Sequence, residues 1–267
     1  MTTTTTRTSD GLDICWESYG PRVGTPLVLV HGLLLSHHLF DRLAGHLAGR
    51  WVVAVDVRGH GRSSRPLESY RYSWKLLADD VVAVLDDLGV ERAVVGGLSL
   101  GAGVALAFAH KYPERTAGMV IEMPVLGQSE GFARVVFGVM ATTLRLTSFV
   151  LGPMFKPFRK LPSPAGPSEL KLAADLLRLH PIAAAALIEG LSAAELPIHD
   201  RGTLAGIAVP TLVIGHRLDP IHDVADAMLL SERIPEAELV EVAHIGELRM
   251  SPARYADIVG GFLQRRF

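Results

Sequence analysis

Gly97-Leu98-Ser99-Leu100-Gly101 puts a serine between two glycines where the apolar run Ala93 to Leu98 passes straight into a segment of helical period, Ser99 to His110. A serine at the apex of such a strand-to-helix turn is held in a strained backbone conformation with its hydroxyl clear of the main chain, and the glycines let strand and helix approach closely. The chemistry this allows is nucleophilic attack on a carbonyl carbon. The helix start just beyond directs unpaired backbone N–H groups at the negative charge that develops on the attacked group. A second turn, His31-Gly32-Leu33, follows the run Leu27 to Val30. Gly32 lets the backbone bend sharply there, so that the N–H of Leu33 can point into the same space as that of Leu100. Two such donors would form an oxyanion hole. Asp56-Val57-Arg58-Gly59-His60-Gly61-Arg62-Ser63 follows the next strand and reads as a structural turn held by Asp56 and Arg58, with His60 outside the chemistry.

Those turns need a scaffold that brings strand ends together. The runs Leu27 to Val30, Trp51 to Val55, Ala93 to Leu98, Ala117 to Glu122, Thr211 to Gly215 and Glu238 to Val242 are short, apolar and often β-branched, as buried strands are. Segments of helical period alternate with them: His38 to Leu47, Ser73 to Leu88, Ser99 to His110, His222 to Glu232 and Pro252 to Leu263. The alternation predicts an α/β fold, a mostly parallel central sheet with helices on both faces. From Met123 to about Thr203 no strand is expected, only helical patterns and a passage dense in proline. This stretch reads as an inserted helical cap, residues 123–203, on a core formed by 1–122 and 204–267. Within it Phe132, Val136, Met140 and Phe155 are the expected lining of a lipophilic pocket, without an obvious charged complement.

Composition narrows the function classes. The 267 residues, 49% hydrophobic and 20% charged, are enough for one large domain with a substantial core. A net charge of −2 and scattered arginines give no electrostatic footprint for nucleic acid. The single cysteine, Cys15, excludes an intramolecular disulfide and favours a cytoplasmic protein with an inert structural thiol. The threonine-rich stretch Met1 to Ser9 has no apolar centre and reads as a disordered lead-in, and no uninterrupted apolar stretch reaches the length of a membrane span. His37 and His38 are adjacent, and His216 and His222 are isolated, so no metal or other cofactor is expected.

In their order and spacing, His31-Gly32, the Asp56 to Ser63 loop, Gly97 to Gly101, Gly215 to Asp219 and His244 resemble the α/β-hydrolase fold superfamily over nearly the whole chain. That resemblance implies the triad Ser99, Asp219 and His244, in which the imidazole takes the serine proton and the carboxylate fixes its tautomer. Ala243 and Ala102 stand where the family commonly has glycine. Glu122, at the end of the strand after the serine helix, is the alternative acid. The implied activity is hydrolysis of a small-molecule carboxylic ester through an acyl-enzyme. The same triad would serve a lactonase, a C–C bond hydrolase or a perhydrolase, and Gly32 to Phe40 is faintly similar to the cofactor-free haloperoxidase-like perhydrolases. A non-catalytic ligand receptor or a lyase is the reading from a different class.

Overall fold

The computed structural model describes residues 4–47, 49–127, 129–194, 196, 198, 201–244 and 246–267. The chain runs β1 (Thr4–Arg7), β2 (Asp13–Tyr19), β3 (Leu27–Val30), α1 (Asp41–His46), β4 (Val52–Val55), α2 (Trp74–Asp87), β5 (Ala93–Leu98), α3 (Leu100–Lys111) and β6 (Thr116–Glu122). It continues through α4 (Glu130–Phe155), α5 (Ser168–Leu177), α6 (Pro181–Ala193) and α7 (Arg201–Ala205). The last elements are β7 (Thr211–His216), α8 (Val224–Arg233), β8 (Ala237–Val242), α9 (Gly246–Met250) and α10 (Pro252–Arg266). The eight strands form one sheet in the order β1-β2-β4-β3-β5-β6-β7-β8. β1 and β2 pair antiparallel, β2 joins β4 antiparallel, and every later pairing is parallel.

The central strands are apolar and buried because both faces are covered. Val28, Val30, Val53 and Val95 pack with α2 and α3 residues such as Val81, Leu85, Val104 and Phe108 on one face. Leu27, Leu29, Val52 and Val94 pack with α1 and α10 residues such as Leu43, Val259 and Phe262 on the other. Ser73 caps α2 by accepting from the Leu76 N–H at 3.2 Å, and Gly89 leaves the helix with φ of 66°. Cys15 is free and buried, and burial pushes its thiol well above its ordinary pKa, as an inert structural thiol requires.

The N-terminus departs from expectation. Thr4–Arg7 is an edge strand and not a disordered lead-in; residues 1–3 lie outside the described residues. Threonine is β-branched and suits a strand, and Thr6 has two partners: its hydroxyl accepts from Trp16 Nε1 at 2.8 Å and donates to Asp87 at 2.9 Å.

Chain order places the site. The strand after β3 lies on one side of it and β5 on the other, so the connections diverge between β3 and β5 and open a crevice at their carboxyl ends. The register pairs Val30 with Gly97, which sets the turn after β3 beside the turn after β5.

One edge of the crevice is anchored by a buried arginine. Arg58 donates from Nε and Nη2 to Asp80 at 2.7 and 2.6 Å, and from Nη1 to the Arg71 carbonyl at 2.8 Å and Asp10 at 3.0 Å. Removing one partner of a buried pair leaves the other charge without compensation, at about 3–5 kcal/mol. Asp80→Ala is therefore expected to lower unfolding free energy by roughly that amount in urea titration, while Asp80→Asn, which keeps an acceptor, costs less.

Candidate active site

Ser99 sits between β5 and α3 with φ 54° and ψ −108°, a conformation that costs a non-glycine residue energy and is kept only where neighbours enforce it. Its N–H donates to the Glu122 carbonyl at 2.9 Å and its carbonyl accepts from Gly103 N–H at 3.1 Å. A Cβ on Gly101 would overlap the Val30 carbonyl oxygen, and one on Gly97 would meet both that oxygen and the Gly101 backbone. The two glycines are thus what lets α3 start this close to β3 and β5.

The Ser99 hydroxyl lies 2.8 Å from Nε2 of His222, and Nδ1 of the same ring lies 2.8 Å from Oδ2 of Asp219. An ionised carboxylate can only accept, so Nδ1 carries the proton and Nε2 is left to accept from the serine. The other carboxylate oxygen of Asp219 accepts from the N–H groups of Ile221 at 2.8 Å and His222 at 3.1 Å. Burial opposes the charge on Asp219, but these three donors outweigh it and hold the carboxyl at about 2. The side chains of His222 and Asp219 are 9% and 1% exposed, so the relay is largely shielded from water.

Ser99 and Asp219 are thus joined through one imidazole, that of His222 and not that of His244. The β7–β8 ladder continues past the strand ends, with Arg217 N–H on the Val242 carbonyl at 3.0 Å and Leu218 N–H on the Ala243 carbonyl at 2.9 Å. This holds Ala243 beside Leu218; His244, the next residue, is exposed and makes no hydrogen bond among the described residues. His222 stands isolated from the other histidines in the sequence, but Asp-x-x-His, Asp219 to His222, is the spacing at which one turn of backbone returns a ring to its own acid. Glu122 is outside the relay. Its side chain is fully buried and binds His216 Nε2 at 3.1 Å, Tyr255 OH at 2.6 Å and Arg249; burial opposes its charge, yet these partners hold it at about 2.

Leu33 and Leu100 both line the cavity that contains Ser99. Leu100 opens α3, where an N–H has no intrahelical acceptor, and the Leu33 N–H has no acceptor among the described residues. The cavity measures about 570 Å³ and is walled largely by apolar side chains, among them Trp74, Leu106, Phe137, Leu187 and Ile188. None of Phe132, Val136, Met140 and Phe155 is in its wall. α4 turns a different face inward, Glu130, Ala133, Arg134 and Phe137, while Phe132 is 56% exposed and Met140 packs against the core. The helix is apolar around most of its circumference, so its hydrophobic pattern does not single out the inward stripe. The wall also carries charge that was not expected: Arg134, paired with Glu130 at 2.5 Å, and Arg233.

Comparison with known proteins agrees with this architecture. The family model for the alpha/beta hydrolase fold matches residues 25–151. The AB hydrolase superfamily protein YisY of Bacillus subtilis (strain 168) is 30% identical over 241 residues, 84% of this chain and 85% of the relative. The chain belongs to the α/β-hydrolase superfamily. Among solved structures it is similar to the esterase RhEst1 from Rhodococcus sp. ECU1013, with TM-score 0.77 and 26% identity over 100% of each chain. It is also similar to Est816, described as an N-acyl homoserine lactone degrading enzyme, with TM-score 0.74 and 27% identity over 97% of this chain and 100% of that one.

In this α/β-hydrolase the turn that presents Leu33 is fastened from below by two buried histidines. His60 Nε2 accepts from the Leu34 N–H at 3.0 Å, in a residue whose φ is 61°, and His31 Nε2 accepts from the Val57 N–H at 3.0 Å. Both rings must be neutral to accept, and burial pushes both toward neutrality, His60 to about 3. His37 has the opposite state. Burial works against its charge, but Asp56 at 2.9 Å and Glu17 at 3.2 Å lift it to about 10. Glu17, His37 and His38 bring one potential ligand atom each close together, and within that group Glu17 and His37 form a buried ion pair.

His222→Gln is expected to lower kcat on an activated ester by about 10⁴-fold or more, with His244→Gln changing it by less than about tenfold. The opposite ranking, in variants with wild-type circular dichroism, would return the base to His244. His37 stabilises the fold through a value raised from 6.5 to about 10, so its contribution is full below pH 6.5 and fades as pH climbs toward 10. The Tm gap between wild type and His37→Gln should accordingly be widest near pH 6 and narrow steadily to pH 10; a gap independent of pH would mean His37 is neutral.

Proposed function

We propose that this α/β-hydrolase is a serine carboxylesterase acting on small lipophilic esters. The observation that carries the reading is the relay Ser99–His222–Asp219 beside an apolar cavity of about 570 Å³. Ser99 Oγ adds to the ester carbonyl as His222 Nε2 takes its proton, and the oxyanion rests on the N–H groups of Leu33 and Leu100. His222 then returns that proton to the departing alkoxide, which leaves as the alcohol. Water, deprotonated by the same ring, attacks the acyl-Ser99 ester and releases the carboxylic acid with the serine restored. Asp219 holds the ring in the tautomer that can accept, and stabilises the imidazolium that forms.

The likeness to the esterase RhEst1 supports this reading. A lactone is a cyclic ester and would follow the same steps, a reading that the likeness to Est816 favours. A receptor would gain nothing from a serine held at positive φ against an oriented imidazole.

Each methylene transferred from water to an apolar wall is worth about 0.8 kcal/mol, or roughly a fourfold gain in kcat/KM. On p-nitrophenyl esters kcat/KM should therefore rise from acetate into the medium-chain range before the cavity is full. Phe137→Asn should flatten that rise, since Phe137 is in the wall, whereas Phe132→Asn should not. A fluorophosphonate is expected to label Ser99 and to leave Ser99→Ala unlabelled. Labelling at another serine would overturn the nucleophile, and an optimum at acetate would overturn the lipophilic acyl site.

A further inference from the structure

A second pocket, of about 410 Å³, lies at the seam between the α/β core and the helices inserted between β6 and β7. Arg62 and Arg65 reach it from the loop after β4; Arg159, Lys160 and Arg178 reach it from the segment after α4 and the end of α5. Five cations line one pocket of a chain whose net charge is −2, and no carboxylate lines it. Arg178 is satisfied by Asp175 and by the carbonyls of Leu161 and Pro162. The others are not. Arg65 Nε and Arg159 Nε are buried donors without a protein acceptor, and His180 Nδ1, close enough to feel both guanidiniums, is a third buried nitrogen without one.

This arrangement is costly as it stands. Burial and the neighbouring Arg159 and Arg178 pull Arg65 below the ordinary arginine value, with Asp56 and Asp175 only partly opposing them. Burial does the same to Arg159. Asp56 accepts from His37 and from the Arg62 N–H, and no hydrogen bond joins it to the Nε–H of Arg65 or Arg159. A bound anion would satisfy both. Guanidinium forks match tetrahedral oxyanions, and a dianion answers several cations where a carboxylate answers one.

We propose that this seam pocket is a binding site for a phosphoryl group, held between Arg65 on the core side and Arg159 and Lys160 on the inserted side. The occupied site ties the two parts of the fold together through charge-assisted hydrogen bonds. It shares no lining residue with the Ser99 cavity, so occupancy does not require that esters be the substrate. The phosphoryl group can come free or on a lipid headgroup, because an exposed apolar side chain, Leu161 at 54% exposure, lines the pocket beside Pro162.

The test uses the whole chain with inorganic phosphate, and separately with vesicles of phosphatidylcholine with or without phosphatidic acid. Expected is a phosphate-dependent rise in Tm and a calorimetric binding isotherm, at constant ionic strength set with chloride. Arg159→Gln and Lys160→Gln should each weaken that binding, Arg159→Gln by about tenfold or more, the factor one charge-assisted hydrogen bond represents. Lys160 is exposed, so its variant tests the site even if Arg159→Gln fails to fold. Binding only to vesicles containing phosphatidic acid, lost in the same variants, would place the group on a lipid. No binding in either arm, or binding indifferent to both variants, overturns the proposal.

Discussion

The close approach of α3 to the β3–β5 pair is the constraint on which the rest of the site depends. Val30 and Gly97 are register partners, and Gly101 packs on the Val30 carbonyl with no room for a side chain. That contact fixes where α3 begins, and with it the positive φ of Ser99 and the direction of the first free N–H. It also brings the β3 turn alongside, since the same residue, Val30, ends β3 and leads into His31-Gly32-Leu33. Ser99, the proposed nucleophile, and both candidate oxyanion donors are therefore placed by one backbone contact.

The loop after β4 supports this crevice by setting the charge states of three buried histidines. His31 and His60 accept backbone N–H groups and are neutral, which fastens the turn carrying Leu33 to the loop at Val57 and Arg58. His37 is enclosed by two carboxylates and is charged. Rings of one chemical type thus do opposite work within a few residues, and their neighbours decide which.

Much of this was legible in the sequence where a residue type is required by backbone geometry. Gly97 and Gly101 are such positions, and so are the short β-branched strands whose burial on both faces leaves no alternative pattern. Ser73 and Gly89 likewise mark the ends of α2 because a cap oxygen and a positive φ are local demands. What was not legible depends on three-dimensional selection among equivalent residues. His222 and His244 both follow Asp219 in the chain, and only the ladder that continues to Ala243, together with the turn at Asp219, separates a ring inside the relay from one at the surface. The inward face of α4 was hidden for a different reason. Phe132, Val135 and Val139 are as apolar as Phe137, so periodicity could find the helix but not its orientation. By length and composition this helix could also cross a membrane, yet here it packs against α6 and walls the cavity.

Charge pairing distinguishes the interior of the core from its seam with the inserted helices. Within the core, buried charges are matched: Arg58 with Asp80, Arg249 with Glu122, and His37 with Asp56 and Glu17. Two of these sets also fix backbone, since Arg58 donates to the Arg71 carbonyl and Asp56 accepts from two N–H groups. At the seam the rule lapses, and Arg65 and Arg159 keep donors that no protein atom accepts. A buried unpaired donor forfeits hydration without return, and here two such donors belong to neighbouring cations that no carboxylate pairs among the described residues. The imbalance lies where core and insert meet, so an external anion bound there would contribute to holding them together.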